Sequence, residues 1–230
     1  MAAGGSAGLR VEGLHHRLGE RVLLDGVELD VGPGESVAVT GPSGSGKSTL
    51  LMCVLGLVAP DRGSVRIGGR ELTGLAAGQL AQVRRELMGM VFQFGELLPE
   101  LTPVENVALP MLLSGGDHRA AYRRATELLA DLGVPHEGTA TGMLSGGERQ
   151  RAAVARALIT EPAVLLADEP TGALDPEARE AVADLLFTVS RERGCALLLV
   201  THDLSVAARA GRTLRLEAGT LTDVRDGVGA

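Results

Sequence analysis

The chain has 230 residues, 45% of them hydrophobic and 22% charged, enough to bury a core without a disulfide or metal staple and against a disordered, collagen-like or small disulfide-rich class. Its 22 basic and 29 acidic side chains leave a net charge of −7. With four aromatics in all (Phe92, Phe94, Tyr122 and Phe187) this argues against nucleic-acid binding, which needs a basic surface and stacking platforms.

The first 8 residues are small and Gly/Ala-rich and read as a frayed tail, with no apolar core of a secretory signal. From Leu9 to Val39 the pattern gives short strands, LRVEGL, RVLLDGVELDV and SVAVT, divided by turns. The glycine-rich stretch GPSGSGKST follows at once, and STLLMCVLGLV after it is apolar nearly all round, as in a buried helix. SVRIGGREL reads as a small hairpin turning at Gly68 and Gly69. A helix through AAGQLAQVRREL and a strand MGMVFQ close the first half.

Between about Leu97 and Met143 the character changes. Leu101 to Leu113 is apolar, with Pro103 and Pro110 as punctuation. Ala121, Ala125, Leu128, Leu129 and Leu132 then recur at helical spacing up to a stop at Gly133. This block reads as a helical subdomain inserted into an α/β core. A helix from Gly147 to Ile159, the apolar strand AVLLAD, the helix PEAREAVADLLFTVSRER and the buried strand CALLLVTHD follow. A short helix, LSVAARA, and a hairpin, RTLRLEAGTLTDV, end the pattern. Apolar, non-alternating strands interleaved with helices predict a largely parallel sheet. Cys53 and Cys195 lie in apolar runs and are expected to be buried free thiols in a reducing compartment. The longest apolar run, Leu50 to Ala59, is about half a membrane span, so the protein is expected to be cytosolic, with any spans supplied by another chain.

The chemistry concentrates in residues 41–49, which fit G-x-x-x-x-G-K-[ST] between a strand and a helix. Gly41, Gly44 and Gly46 allow the backbone N–H groups, those of Ser43 and Ser45 included, to line an anion cradle at a helix N-terminus. Lys47 adds positive charge for β- and γ-phosphates, Ser48 offers a hydroxyl to Mg²⁺, and Thr49 backs the loop. An apolar strand ending in acids is the expected companion, and AVLLAD supplies it. Asp168 is placed to hold Mg²⁺, and Glu169 to polarise a water in line with the γ-phosphate.

Further segments resemble the ATP-binding-cassette (ABC) ATPase family over about residues 9–223. LSGGE at 144–148 looks like its signature loop, ADEPTGALD at 167–175 like the second Walker motif running into the D-loop, and VTHD at 200–203 like the switch-histidine motif. VFQFGELLPELTPVENVALP contains the Q-loop residue, Gln93. The resemblance implies an α/β P-loop NTPase core with an N-terminal antiparallel β-subdomain and an inserted helical subdomain. The whole chain would be one ABC ATPase domain, with core and β-subdomain at about 9–93 and 163–223 and the helical subdomain at about 97–160. It implies ATP and Mg²⁺ as ligands and a second cassette, in a homodimer, completing each site. Ser145, Gly146 and Gly147 would cap the γ-phosphate held by the other subunit, and Asp175 would cross-talk between sites. His202 would contact the γ-phosphate, and Gln93 would sense Mg²⁺ near a docked membrane partner. Where the family commonly stacks an aromatic on adenine this chain has Leu18, which gives dispersion contact but no π-stacking; His16 and Arg17 could substitute but read better as exposed polar residues. ATP and GTP are expected to be weakly discriminated, because the phosphates carry most of the binding.

FQFGELLPELTPVENVALP and LLADEPTGALD look most like the branch of lipoprotein-release, macrolide-export and cell-division ATPases. That resemblance implies a cassette peripheral on the inner face of the cell membrane, powering a separate permease in export or lipoprotein extraction. The alternative is a mechanical ATPase that regulates an external enzyme without transport. A soluble cassette acting on DNA or ribosomes is a third reading, disfavoured by the acidic charge. Leu97, Leu98, Leu101, Val104 and Val107 are either core or the lining of a permease groove, and part of Gly95–Thr102 is expected to be exposed for a partner.

Overall fold

The structure, a computed structural model, describes residues 8–224. The expected frayed tail lies outside the described residues except for Gly8, whose carbonyl accepts from Gly68 N at 3.0 Å. Strands β1 (Leu9–Leu18), β2 (Arg21–Val31) and β3 (Ser36–Thr40) are followed by α1 (Lys47–Val54), β4 (Arg62–Ile67), β5 (Arg70–Glu71), α2 (Ala77–Leu87) and β6 (Met88–Val91). Three helices come next: α3 (Pro103–Leu113), α4 (His118–Asp131) and α5 (Gly146–Leu158). Then follow β7 (Val164–Asp168), α6 (Pro176–Arg193), β8 (Ala196–Val200), α7 (Leu204–Ala207), β9 (Arg212–Glu217) and β10 (Thr220–Asp223).

Two sheets form. One is antiparallel, in the order β2-β1-β4-β5; the other runs β10-β9-β3-β8-β7-β6 and is parallel except at its β9–β10 hairpin. β8 is buried at every position and β7 at all but its last, which is why neither alternates in sequence. Their side chains still alternate in space. Val164, Leu166, Ala196 and Leu198 point to the face shared with β1, β2 and α1. Leu165, Ala167, Leu197 and Leu199 point to the face covered by α5 and α6. α3 and α4 pack behind α5 and share its core through Val107, Ala125 and Leu129.

Two expectations change. β1 continues through His15–Leu18, where the sequence shows no alternation, because irregular pairing with β2 carries it on past Leu14. Pro110 does not punctuate but lies inside α3. Its ring removes a donor toward the carbonyl four residues back, a loss tolerable so near the helix end. Pro103 occupies the first turn, behind the Thr102 cap, as its fixed φ favours. Cys53 and Cys195 are buried free thiols, as expected. Burial, then Asp61, pushes the Cys53 thiol up to about 11.

Candidate active site

The parallel sheet brings the ends of β3, β7 and β8 to one edge, where open α/β sheets place ligands. After β3 the chain turns through 41–46 into α1. Gly41 and Gly46 take φ values of 145 and 106. A Cβ at Gly41 would lie 2.3 Å from the Leu216 carbonyl oxygen, and one at Gly46 2.6 Å from that of Leu23. Only glycine lets the loop lie so close to β9 and β2. Among the described residues, the backbone N–H groups of Ser43, Gly44, Gly46, Lys47, Ser48 and Thr49 meet no acceptor, whereas that of Ser45, expected in the cradle, closes a turn by donating to the Pro42 carbonyl at 3.2 Å. The Ser45 hydroxyl is buried without a partner. Lys47 Nζ donates to the carbonyls of Gly41 at 2.8 Å and Pro42 at 2.9 Å, leaving its third proton for a ligand. A loop of unpaired donors with an ammonium inside it fits a polyphosphate.

One strand beyond β8, Asp168 closes β7. Burial and then the neighbouring Glu169 push its carboxyl up, against the pull of the nearby Lys47 ammonium and Ser48 hydroxyl. Glu169 is held in the left-handed region at φ 47, a conformation rare for a residue with a Cβ. Its N–H donates to the Val200 carbonyl at 2.9 Å. Its Oε2 meets His202 Nδ1 at 2.9 Å and accepts from His202 N at 3.3 Å. The carboxylate is thus aimed by the end of β8, with its imidazole partner largely exposed.

The structure therefore gathers Lys47, Ser48, Asp168, Glu169 and His202. Gln93 follows β6 and lies over the turn after Glu169: a Cβ at Gly172 would be 2.9 Å from its Nε2. Ser145, Gly146 and Gly147 stand elsewhere. Ser145 caps α5, accepting from Glu148 N at 3.3 Å while Glu148 returns a bond to Ser145 N at 2.7 Å. That bond holds the Glu148 carboxyl below the usual range. Gly146 and Gly147 pack on Leu174 and Ala178, and no hydrogen bond joins 144–148 to 41–49 among the described residues. Asp175 caps α6 through Ala178 N at 2.9 Å.

Leu18 is 69% exposed at the end of β1. Arg17 donates to the Glu20 carbonyl and, through its backbone, to Asp61, while His16 has a buried, unpartnered Nδ1. Neither is bonded to the loop. Sequence reasoning missed the side chain that is: Arg21 Nη2 donates to the Gly44 carbonyl at 2.7 Å. Its signal was the two-residue turn Gly19–Glu20, which sets 18 opposite 21. Of the apolar stretch after β6, Val107 is core and Leu97 packs against it, while Phe94 and Leu98 are exposed.

The family profile for ABC transporters matches residues 24–172. The chain belongs to the ABC transporter family. Its similarity to the lipoprotein-releasing system ATP-binding protein LolD of Cereibacter sphaeroides is 48% identity over 204 residues, 88% of this chain and 91% of that protein. With LolD of Xanthomonas campestris it shares 43% over 225 residues, 96% and 94% of the two chains. The dimeric post-hydrolysis structure of the ATP-binding cassette MJ0796, bound to ADP and Pi, superposes with a TM-score of 0.82 at 35% identity, covering 93% of this chain and 96% of that one. The cassette is an ATP-binding, ATP-hydrolysing subunit with the expected α/β ABC fold. Among its described residues no helix is long and apolar enough to cross a membrane.

Proposed function

We propose that this cassette supplies the power stroke of a lipoprotein-releasing assembly from the inner face of the cell membrane, working with a separate membrane permease. The observation that carries the hydrolytic reading is Glu169 Oε2 fixed by His202 beside Asp168. The lipoprotein reading rests on the relatives, whose names give that role over most of this chain's length.

In this reading the unpaired N–H groups of Ser43, Gly44 and 46–49, with the Lys47 ammonium, hold the ATP phosphates in place. Ser48 and Asp168 are the residues that would hold Mg²⁺, with Gln93 assigned to sense it. A hydroxyl and one carboxylate suit an ion that takes its remaining ligands from substrate phosphates and water. Bound there, the ion would neutralise phosphate charge. Glu169 accepts hydrogen bonding from a water and orients it toward the γ-phosphorus, while His202 holds Glu169 in that pose and faces the γ-phosphate. Ser145, Gly146 and Gly147 are the opposite face of the site of a second cassette, offered at the N-terminus of α5. Asp175 lies between the two sites. Residues 9–93 and 163–223 form the nucleotide-binding core and β-subdomain, and 97–160 the helical subdomain. The segment 95–102 presents Leu98 to the permease.

The test is to isolate the tagged cassette from mildly solubilised membranes of its own cells and to deplete it there. A co-purifying polytopic membrane protein, with lipoproteins retained in the membrane on depletion, is the expected result. Ribosomal proteins or nucleic acid in place of a membrane protein overturn the permease assignment. A membrane partner with unchanged lipoprotein release overturns the cargo.

A further inference from the structure

His202 grips Glu169, yet its own side chain is 70% exposed, so little packing orients it. Its pose comes from the backbone on either side. Before it, Thr201 N donates to the Val39 carbonyl at 3.2 Å and ties the end of β8 to β3. After it, Asp203 leads into α7, a single turn that is too short to hold itself. Val206 and Ala207 bury one side of that turn. The rest of its hold comes from α6. Arg209, just past α7, pairs with Glu180 and Asp184 and lies over the Phe187 ring. At the end nearest His202, Arg179 Nη1 meets Asp203 Oδ2 at 3.4 Å, and Arg179 Nη2 donates to the Leu174 carbonyl at 3.4 Å.

Of the two helices α6 is the firmer body. It has 18 residues, an Asp175 cap at its start and Gly194 at φ 65 past its end, and its Val182, Ala183 and Leu186 are fully buried. Asp203 uses Oδ1 on Ser205 N at 2.9 Å and Val206 N at 3.3 Å, which shapes α7 without fixing where it sits. Its Oδ2 reaches outside that segment, to Arg179. We propose that Arg179 is a positioning residue for ATP hydrolysis: through Asp203 it sets the backbone of His202, and so the aim of Glu169. This rests on the role given to Glu169 above. Arg179 is 35% exposed, and an ion pair so placed adds little to stability. The aim of a catalytic carboxylate is far more sensitive, since a misplacement of about 1 Å can cost about a hundredfold in rate. The tie therefore matters to turnover more than to folding.

Steady-state hydrolysis of ATP with magnesium by the full chain tests it, in the parent, Arg179→Ala, Arg179→Lys, Asp203→Asn and Glu169→Gln, beside calorimetric ATP titration and melting curves. Arg179→Ala is expected to lower kcat about ten- to a hundredfold while KM and ATP affinity stay within about twofold. Its melting point should stay within about 4 °C of the parent's. Asp203→Asn keeps an acceptor for the cap on Ser205 and Val206 but loses the charge, and lowers kcat in the same way; it reads the tie even where Arg179→Ala does not fold. Arg179→Lys restores a cation facing Asp203 and recovers most of the lost rate. A kcat within about twofold of the parent's in Arg179→Ala or Asp203→Asn overturns the proposal. So does an ATP affinity that falls as far as the rate, or a lysine variant no faster than the alanine one. Those results leave the role of Glu169 standing; a Glu169→Gln chain that hydrolyses at the parent's rate, or a parent that does not hydrolyse ATP, removes that role and this proposal with it.

Discussion

Replacing Gly46 with alanine measures how far the neighbours of the phosphate loop dictate its shape. Gly46 sits at φ 106 and ψ 4, well outside the left-handed basin near +57° that other residues visit. Such conformations cost about 1–3 kcal/mol. The new methyl carbon would lie 2.6 Å from the Leu23 carbonyl oxygen, where ordinary contact begins at 3.4 Å, so something must give by 0.8 Å. Leu23 belongs to β2, anchored by the fully buried Leu24 beside it, so the loop is the part that moves. The Gly46 carbonyl accepts Leu50 N at 2.8 Å, so displacement carries the first turn of α1, with Lys47 and Ser48, off its position. Strain and overpacking together predict a stability loss of about 2–6 kcal/mol. A misplacement approaching 1 Å predicts ATP affinity weakened at least about tenfold. Gly44→Ala is the control. At φ 74 it meets nothing nearer than the Arg21 guanidinium at 3.5 Å, so it pays for handedness alone, about 1–2 kcal/mol. Urea unfolding and calorimetric ATP titration of both variants decide. The reasoning is wrong if the two behave alike, or if Gly46→Ala unfolds within about 0.5 kcal/mol of the parent.

Three further outcomes follow from the same coordinates. Asn106 is buried; its Oδ1 accepts from Leu98 N at 2.7 Å, and its Nδ2 donates to the Leu98 and Thr102 carbonyls at 2.9 and 3.1 Å. Asn106→Ala is expected to cost about 2–4 kcal/mol in urea unfolding by orphaning those groups, and a loss under about 1 kcal/mol contradicts the staple. The Asp168 carboxyl is pushed up by burial and by Glu169, so the folded chain holds that proton more readily than the unfolded chain. Stability then falls as pH rises from the ordinary carboxylate value through the raised one. In metal-free buffer at pH 7.5 Asp168→Asn should melt above the parent, with the gap closing toward about pH 4; a lower melting point at pH 7.5 refutes the sign. Leu98 is exposed while Leu97 packs on the core. Leu98→Glu should keep stability and lose most of the partner-stimulated ATPase, and Leu97→Glu should lose stability; intact stimulation in Leu98→Glu removes the docking role of 95–102.

The core of the fold and the phosphate loop were legible because each leaves a local mark. A strand buried on both faces is apolar without alternation, as β7 and β8 are, and a loop that must approach two neighbouring strands is glycine at each approach. What escaped depends on pairing rather than on local pattern. β1 past Leu14 is strand because β2 lies beside it, and Pro110 is helical because its neighbours in α3 pack on α4 and α5. Arg21 reached the site through hairpin register, a relation between two segments that neither shows alone. The Glu169–His202 contact was expected only as two separate roles; that the imidazole grips the carboxylate at 2.9 Å required the ends of β7 and β8 side by side.

The most direct test of the central claim is the mass of Glu169→Gln in saturating ATP and magnesium, read by light scattering. The substitution keeps the shape of the side chain and removes the group assigned to orient the water, so hydrolysis should fall about a hundredfold or more. With ATP retained between the loop 41–49 of one copy and Ser145–Gly147 of the other, the variant should run as a stable dimer that returns to monomer when ATP is withdrawn. A monomer in saturating ATP, or a dimer that still hydrolyses at the parent's rate, contradicts the account.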